Sequence, residues 1–223
     1  MPETQSDPDN TNPSPFITGK KRYTEGNNAT IEEILTISKE GSPPVVKEGW
    51  LLKTYNRPRK HDEKTLKHPK LEEVKEHIKI LEKDLEGFLT EHHMAISQGE
   101  EGPIMRVAVK EVRQSELKQE NKQKMAQQMD ELIEKALQTY FRTFLKESGT
   151  GMVADLEPAS VIFGTTISDN TPKLYFVDFF PLTQRSPKEL EADITALTQS
   201  LTQEYNFLKT KAVLSKLRAL NKS

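Results

Sequence analysis

The stretches Asp155-Leu156-Glu157-Pro158-Ala159-Ser160-Val161-Ile162-Phe163 and Leu174-Tyr175-Phe176-Val177-Asp178-Phe179-Phe180 each set one carboxylate among apolar, strand-forming residues. Between them runs Ser168-Asp169-Asn170-Thr171-Pro172, whose side chains favour a turn. A single hairpin would then aim two carboxylates into one cleft. Such a pair can hold a divalent cation and orient or deprotonate a hydroxyl, which is the chemistry of phosphoryl transfer. The surroundings of the two differ. Asp178 is predicted on a buried strand, where a carboxylate needs a partner, either a metal or an Arg or Lys. Asp155, ahead of a Leu-x-Pro segment, equally suits a turn cap that accepts from nearby backbone N–H groups.

The elements that would carry these residues can be read from periodicity. Residues 1–15 hold almost nothing to bury and read as a disordered tail. From Phe16 to Tyr55 short apolar pieces alternate with turns, and Ile31 to Ser38 suits either a strand or a short helix. Trp50 to Tyr55, bulky and preceded by Gly49, reads as a strand. Val74, Ile78, Leu81, Leu85 and Phe88 predict a helix from about Pro69 to Glu91, and Ile104 to Val112 a strand. A second helix carries Met125, Met129, Leu132, Ile133, Ala136, Leu137, Tyr140, Phe141 and Phe144 on one side and stops near Gly149 and Gly151. Val161 to Thr166 and Lys173 to Phe179 form the hairpin. Two helical stripes follow, one through Leu190, Ile194, Leu197, Leu201 and Tyr205 and one through Val213, Leu214, Leu217 and Leu220.

Composition narrows the classes of function. The 223 residues are 30% charged and 34% hydrophobic, with a net charge of -2. That balance gives no global reason to bind nucleic acid or an anionic membrane. The absence of cysteine excludes disulfides, thiolate metal sites and cysteine nucleophiles. No run approaches the roughly 18 apolar residues of a spanning helix, and the N-terminus lacks a secretory pattern, so a cytoplasmic protein is expected. His61, His68, His77, His92 and His93 lie in charged surroundings, and the adjacent pair falls on different sides of a helix, so no zinc site is expected. Lys209, Lys211, Lys216, Arg218 and Lys222 follow the last acidic residue, Glu204. They complement the dipole of a final helix, with an anionic partner as the alternative.

In order, strands, a strand with a lysine, a helix, a strand, a long helix, a loop with an Asp and a hairpin with a second Asp resemble the protein-kinase-like fold, including its aminoglycoside-phosphotransferase and small bacterial branches. Asp155-Leu156-Glu157-Pro158-Ala159-Ser160-Val161 is similar to that family's catalytic loop, and Val177-Asp178-Phe179 to its metal-binding Asp-Phe-Gly element. The resemblance implies an α+β, two-lobed architecture, with an N-lobe at 16–113 and a helical C-lobe at 114–223. It implies ATP and Mg²⁺ as cofactors and transfer of a γ-phosphoryl to a hydroxyl. Asp155 would orient the acceptor and Asp178 would hold the metal, assisted by Ser160, which stands where the family usually has Asn. Lys53, in Leu51-Leu52-Lys53, would neutralise phosphate through a pairing with Glu82, and Gly26 would be a fragment of the loop over the phosphates.

Two other readings stay open. One is a non-catalytic, pseudokinase-type protein-interaction module that keeps the architecture and uses its surface, including the basic final helix, to bind a protein partner. The other is an unrelated α+β binding domain.

Overall fold

The structure is a computed structural model that describes residues 16–25, 29–38, 45–55, 71–90, 92–97, 100–106, 110–111, 117–165, 171–178, 182–199 and 205–222. It mixes helices with small sheets and divides into two compact units, one of Met1–Arg57 with His92–Met105, the other of Pro58–Glu91 with Arg106–Ser223.

The first unit carries strands β1 (Phe16–Glu25), β2 (Ala29–Ser38), β3 (Val45–Tyr55), β4 (His92–Ser97) and β5 (Glu100–Arg106), closed as a barrel in the order β1-β2-β3-β5-β4. Thr30, Ile31, Ile34, Thr36 and Ile37 explain why the ambiguous segment is the strand β2, since β-branched residues fit a pleated surface better than a helix. The pairing of β2 with β3 sets Ile34 against Trp50 and Ile31 against Lys53. Its register shifts between Ile34 and Thr36, and that of β1 with β2 between Arg22 and Thr24. Irregularities of this kind bend and twist a strand, which closure requires. The parallel pair Phe16 with Ile96 joins β1 to β4.

The second unit begins with α1 (Leu71–Asp84) and continues with β6 (Lys110–Glu111), α2 (Gln119–Thr143), β7 (Gly151–Val153), β8 (Val161–Thr165), β9 (Lys173–Phe176), β10 (Thr183–Arg185), α3 (Pro187–Gln199) and α4 (Leu208–Leu220). One three-stranded sheet has the order β6-β8-β9, and β7 pairs with β10. The predicted stripe of α2 is its core face: Leu132, Ile133, Leu137 and Tyr140 are fully buried, as are Leu81 of α1, Leu85 just after it, Leu190 and Ile194 of α3 and Leu217 of α4, with α1 and α4 packed on α2 and α3 on α4. Each such side chain contributes about 1.5–3 kcal/mol on burial, so α2 is the element around which this unit condenses.

Polar contacts lock α1 and α4 onto α2 and cap α3 locally. Buried Asp84, at the end of α1, accepts from Arg142 Nη2 at 2.9 Å and from the Thr139 hydroxyl. Buried Asp130 accepts from the backbone N–H groups of Thr210 at 2.7 Å and Lys209 at 3.1 Å, so a residue of α2 caps the N-terminus of α4. At the start of α3, the Ser186 N–H and hydroxyl both donate to Glu189 Oε2, at 2.8 and 2.7 Å, in a capping box with Pro187 in the first turn. These bonds hold the Glu189 carboxyl below the usual carboxylate range.

Three expectations are corrected here. Helix α1 ends at Asp84 and not at Glu91, because Leu85 to Phe88 turn through Gly87 at φ 87°, a left-handed conformation that glycine adopts without strain. His92 and His93 consequently lie in β4, not on a helix. The strand expected from Ile104 to Val112 serves two sheets: residues up to Arg106 belong to β5 and pair with β4 in the barrel, whereas Lys110–Glu111, as β6, pair with β8. The basic residues of α4 are engaged within the molecule: Lys209 Nζ meets Glu134 at 2.6 Å, Arg218 Nε meets Glu191 at 2.8 Å, and Lys216 lies 5.6 Å from the centre of the Phe141 ring. Among the described residues, no helix is long and apolar enough to cross a membrane.

Candidate functional site

The site is assembled where β7, the β8–β9 hairpin and β10 meet. Strand β7 reaches Asp155 through Val153 and Ala154, both buried, and Leu156 on its other side is buried too. A carboxylate between Ala154 and Leu156 has little freedom to leave. The chain then makes a 3₁₀ turn at Pro158–Ser160, with the Ser160 N–H donating to the Glu157 carbonyl at 2.9 Å. It enters β8 opposite β9, Val161 paired with Phe176.

The second carboxylate follows the hairpin: β9 ends at Phe176, and Asp178 lies two residues beyond it, half-buried rather than on the buried strand expected. The Val177 N–H donates to the Ser160 carbonyl at 2.8 Å, so Ser160, itself buried, lies beside the residue that precedes Asp178. Upstream, the Phe176 N–H donates to the Phe88 carbonyl at 2.8 Å and the Leu174 N–H to Gln128 Oε1 at 2.9 Å. The strand leading to Asp178 is thus held from β8, from α2 and from the turn after α1.

Asp155 is the most perturbed carboxyl of this cluster. Its side chain is 18% exposed, and its Oδ1 is buried without a hydrogen-bond partner. Burial pushes the carboxyl up to about 6, helped by the negative charges of Glu157, Asp178 and Asp193 and opposed by Arg185. The contribution from Asp178 means that the two carboxylates feel each other. Arg185 Nη2 stands 4.0 Å from Asp155 Oδ1, while its Nε donates to Asp193 Oδ2 at 3.2 Å. The guanidinium is therefore bonded to α3 and lends Asp155 its charge without satisfying it. A carboxyl in this condition is suited to take a proton near neutral pH.

The sequence-derived residues divide among four situations. Asp155, Ser160 and Asp178 come together through one loop and one hairpin. Glu82 is exposed on α1 of the same unit. Lys53 lies in β3 of the barrel unit, opposite Ile31, and Gly26 lies outside the described residues, as do Phe179 and Phe180.

Arg185, Asp193 and His77 are residues of this neighbourhood that sequence reasoning missed. For Arg185 a signal existed, since it directly precedes Ser186-Pro187-Lys188-Glu189, a helix-start signature that would have placed it at a helix mouth. His77 Nδ1 accepts from the Leu182 N–H at 2.9 Å across 105 residues of chain, and no local pattern announces such a contact.

No family model matches the sequence, and no curated protein matches it. Among solved structures, a crystal structure of the aminoglycoside phosphotransferase APH(2'')-Ib, ADP-bound, aligns with 92% of this chain and 85% of its own, at a TM-score of 0.47 and 8% identity.

Proposed function

We propose that this chain is a kinase-like domain that transfers the γ-phosphoryl group of ATP to a hydroxyl. The observation that carries the reading is Asp155, whose buried Oδ1 has no hydrogen-bond partner and whose proton affinity is raised beside the charge of Asp178. Leaving a buried acceptor unmade costs about 1–3 kcal/mol. A donor that arrives with a ligand, such as an acceptor hydroxyl, would supply the missing bond. Asp155 then orients that hydroxyl and receives its proton as the oxygen becomes a nucleophile.

The donor set also suits Mg²⁺. Asp178 and Ser160 offer hard oxygen ligands, and Asp155, Glu157, Asp178 and Asp193 outnumber the single cation Arg185 in the interactions that set the Asp155 proton affinity. Among the described residues no three His, Asp or Glu side chains converge as a ready cage. Mg²⁺ at such a site would be held by one or two protein ligands together with nucleotide phosphates. When bound, the ion would neutralise charge on those phosphates. The chain's own part is to hold Asp178 just beyond the end of β9, whose pairing with β8 is fixed, and to keep the Asp155 carboxyl largely buried.

The test is thermal stabilisation of the full chain by ATP with and without Mg²⁺, together with ADP release. MgATP at about a hundred times its dissociation constant should add roughly 2.7 kcal/mol. Asp178→Asn should remove the Mg²⁺-dependent part. Asp155→Asn should keep binding and slow ADP release by about a hundredfold or more. No stabilisation of the wild-type chain in either condition would refute the reading. A second reading, a nucleotide-binding interaction module without turnover, is favoured by the short Ser160 hydroxyl at the second metal position, and stabilisation without ADP release would select it.

A further inference from the structure

The segment that bears Asp178 is gripped on both sides by one stretch of chain. Upstream, Phe176 bonds through its N–H to the Phe88 carbonyl at 2.8 Å and bridges Leu89 in parallel. Downstream, Leu182, four residues beyond Asp178, bonds through its N–H to His77 Nδ1 at 2.9 Å. His77 and Phe88 both belong to α1 and the turn that ends it. That stretch is itself fixed to α2 by Asp84 with Arg142 and Thr139, and by the Lys135 ammonium, which donates to the Glu86 carbonyl at 3.1 Å.

A buried backbone N–H needs an acceptor. Leu182 is buried, and it immediately precedes β10, the strand that brings Arg185 to Asp155. An imidazole accepts through Nδ1 only when that nitrogen carries no proton, so the ring is in the tautomer protonated on Nε2. The contact is specific in reach as well as chemistry. An acceptor nearer to or farther from the α1 backbone would miss the Leu182 amide.

We propose that His77 is a positioning residue for the Asp178 site: by accepting from the Leu182 N–H it anchors the downstream end of the segment whose upstream end is held at Phe88, and so sets the affinity for Mg²⁺-nucleotide. This rests on the phosphoryl-transfer reading above and adds to it a residue that touches neither metal nor nucleotide. It also gives α1 a part in the site that does not depend on Glu82.

The experiment compares the full wild-type chain with His77→Ala and His77→Asn, using MgATP, ATP with a chelator, and amide hydrogen exchange at Leu182 and Val177. In His77→Ala, exchange at Leu182 accelerates and MgATP affinity falls about fivefold, the worth of one net hydrogen bond. Affinity for metal-free ATP stays unchanged. Asn places an amide oxygen close to where Nδ1 lies, so His77→Asn restores the wild-type values. Equal losses with and without Mg²⁺, or an Asn variant that behaves like Ala, overturn the inference. If the wild-type chain binds no nucleotide, the functional reading fails by itself, and exchange at Leu182 still decides the grip: acceleration in His77→Ala supports it and unchanged exchange refutes it.

Discussion

Arg185 Nη2 stands 4.0 Å from Asp155 Oδ1, close enough to act through charge and too far to donate a hydrogen bond. The guanidinium spends its Nε on Asp193 at 3.2 Å. Asp155 is left with an oxygen that is buried and unbonded, which is a condition of strain in the resting protein and of readiness toward a donor.

That strain has a sign in pH. Burial raises the Asp155 carboxyl from 3.8 to about 6, so between those values the folded chain binds a proton that the unfolded chain lacks. Stability therefore falls as pH rises through this window, and above it the ionised group carries its full cost. The side chain is 18% exposed, so solvent screens part of the effect and the cost is on the order of 1–2 kcal/mol. Asp155→Asn should be more stable than wild type by that amount at pH 7 and equal to it near pH 4. Urea unfolding at the two pH values measures this, and a variant less stable at pH 7 would contradict it.

The contact of Asp84 with Arg142 ties α1 to α2 where the turn toward the site begins. Asp84 is 3% exposed in its side chain and Arg142 49%, so the carboxylate depends on the pair more than the guanidinium does. Arg142→Ala leaves Asp84 with the Thr139 hydroxyl alone and should cost about 2–3 kcal/mol. By contrast Lys135 and Glu131, 3.6 Å apart and solvated, form a pair whose Glu131→Ala variant should change stability by less than about 0.5 kcal/mol. Denaturant midpoints of the two variants should separate clearly.

Asp130 substitutes for the absent local cap of α4, since Phe207 at the cap position makes no side-chain bond there. Besides the two amides it accepts from the Thr210 hydroxyl at 2.7 Å. Asp130→Ala should destabilise the chain by about 2 kcal/mol and speed amide exchange at Lys209 and Thr210 before the rest of α4. If those amides stay protected, the cap has been assigned wrongly.

How much of this was legible follows from the range of each interaction. The α2 face from Met125 to Tyr140 and the pairing of the two hairpin strands were written in local periodicity, and the structure builds both, but β9 ends at Phe176, so that Asp178, expected on a buried strand, lies two residues beyond it and is half-buried. The end of α1 was misplaced because the apolar steps continue through Leu85 and Phe88, which remain buried, although Gly87 has already turned the chain. Asp155 could be read as a candidate but not as an unsatisfied one, because its environment depends on Arg185 and Asp193, brought in by β10 and α3. His77 was passed over among charged neighbours, since its partner Leu182 is defined only by the fold.

Tyr140 offers a last contrast between a strained group that serves the site and one that does not. Its hydroxyl is buried without a hydrogen-bond partner, and burial, with the charge of Glu189, pushes it up to about 12. Gly151, the first residue of β7, lies against it: a Cβ there would come within 2.9 Å of both the Tyr140 ring and its backbone carbonyl. Because backbone cannot yield as a flexible side chain can, Gly151→Ala should cost about 1–3 kcal/mol and displace the strand that leads to Asp155, lowering any ADP release as well. Tyr140→Phe keeps the ring that fills this contact and removes only the unbonded oxygen, so it should raise stability by about 1 kcal/mol with ADP release unchanged. Thermal melts and turnover of both variants test the pair. A destabilised Tyr140→Phe would mean that the hydroxyl has a partner within the fold and is not an unbonded oxygen of the kind found on Asp155.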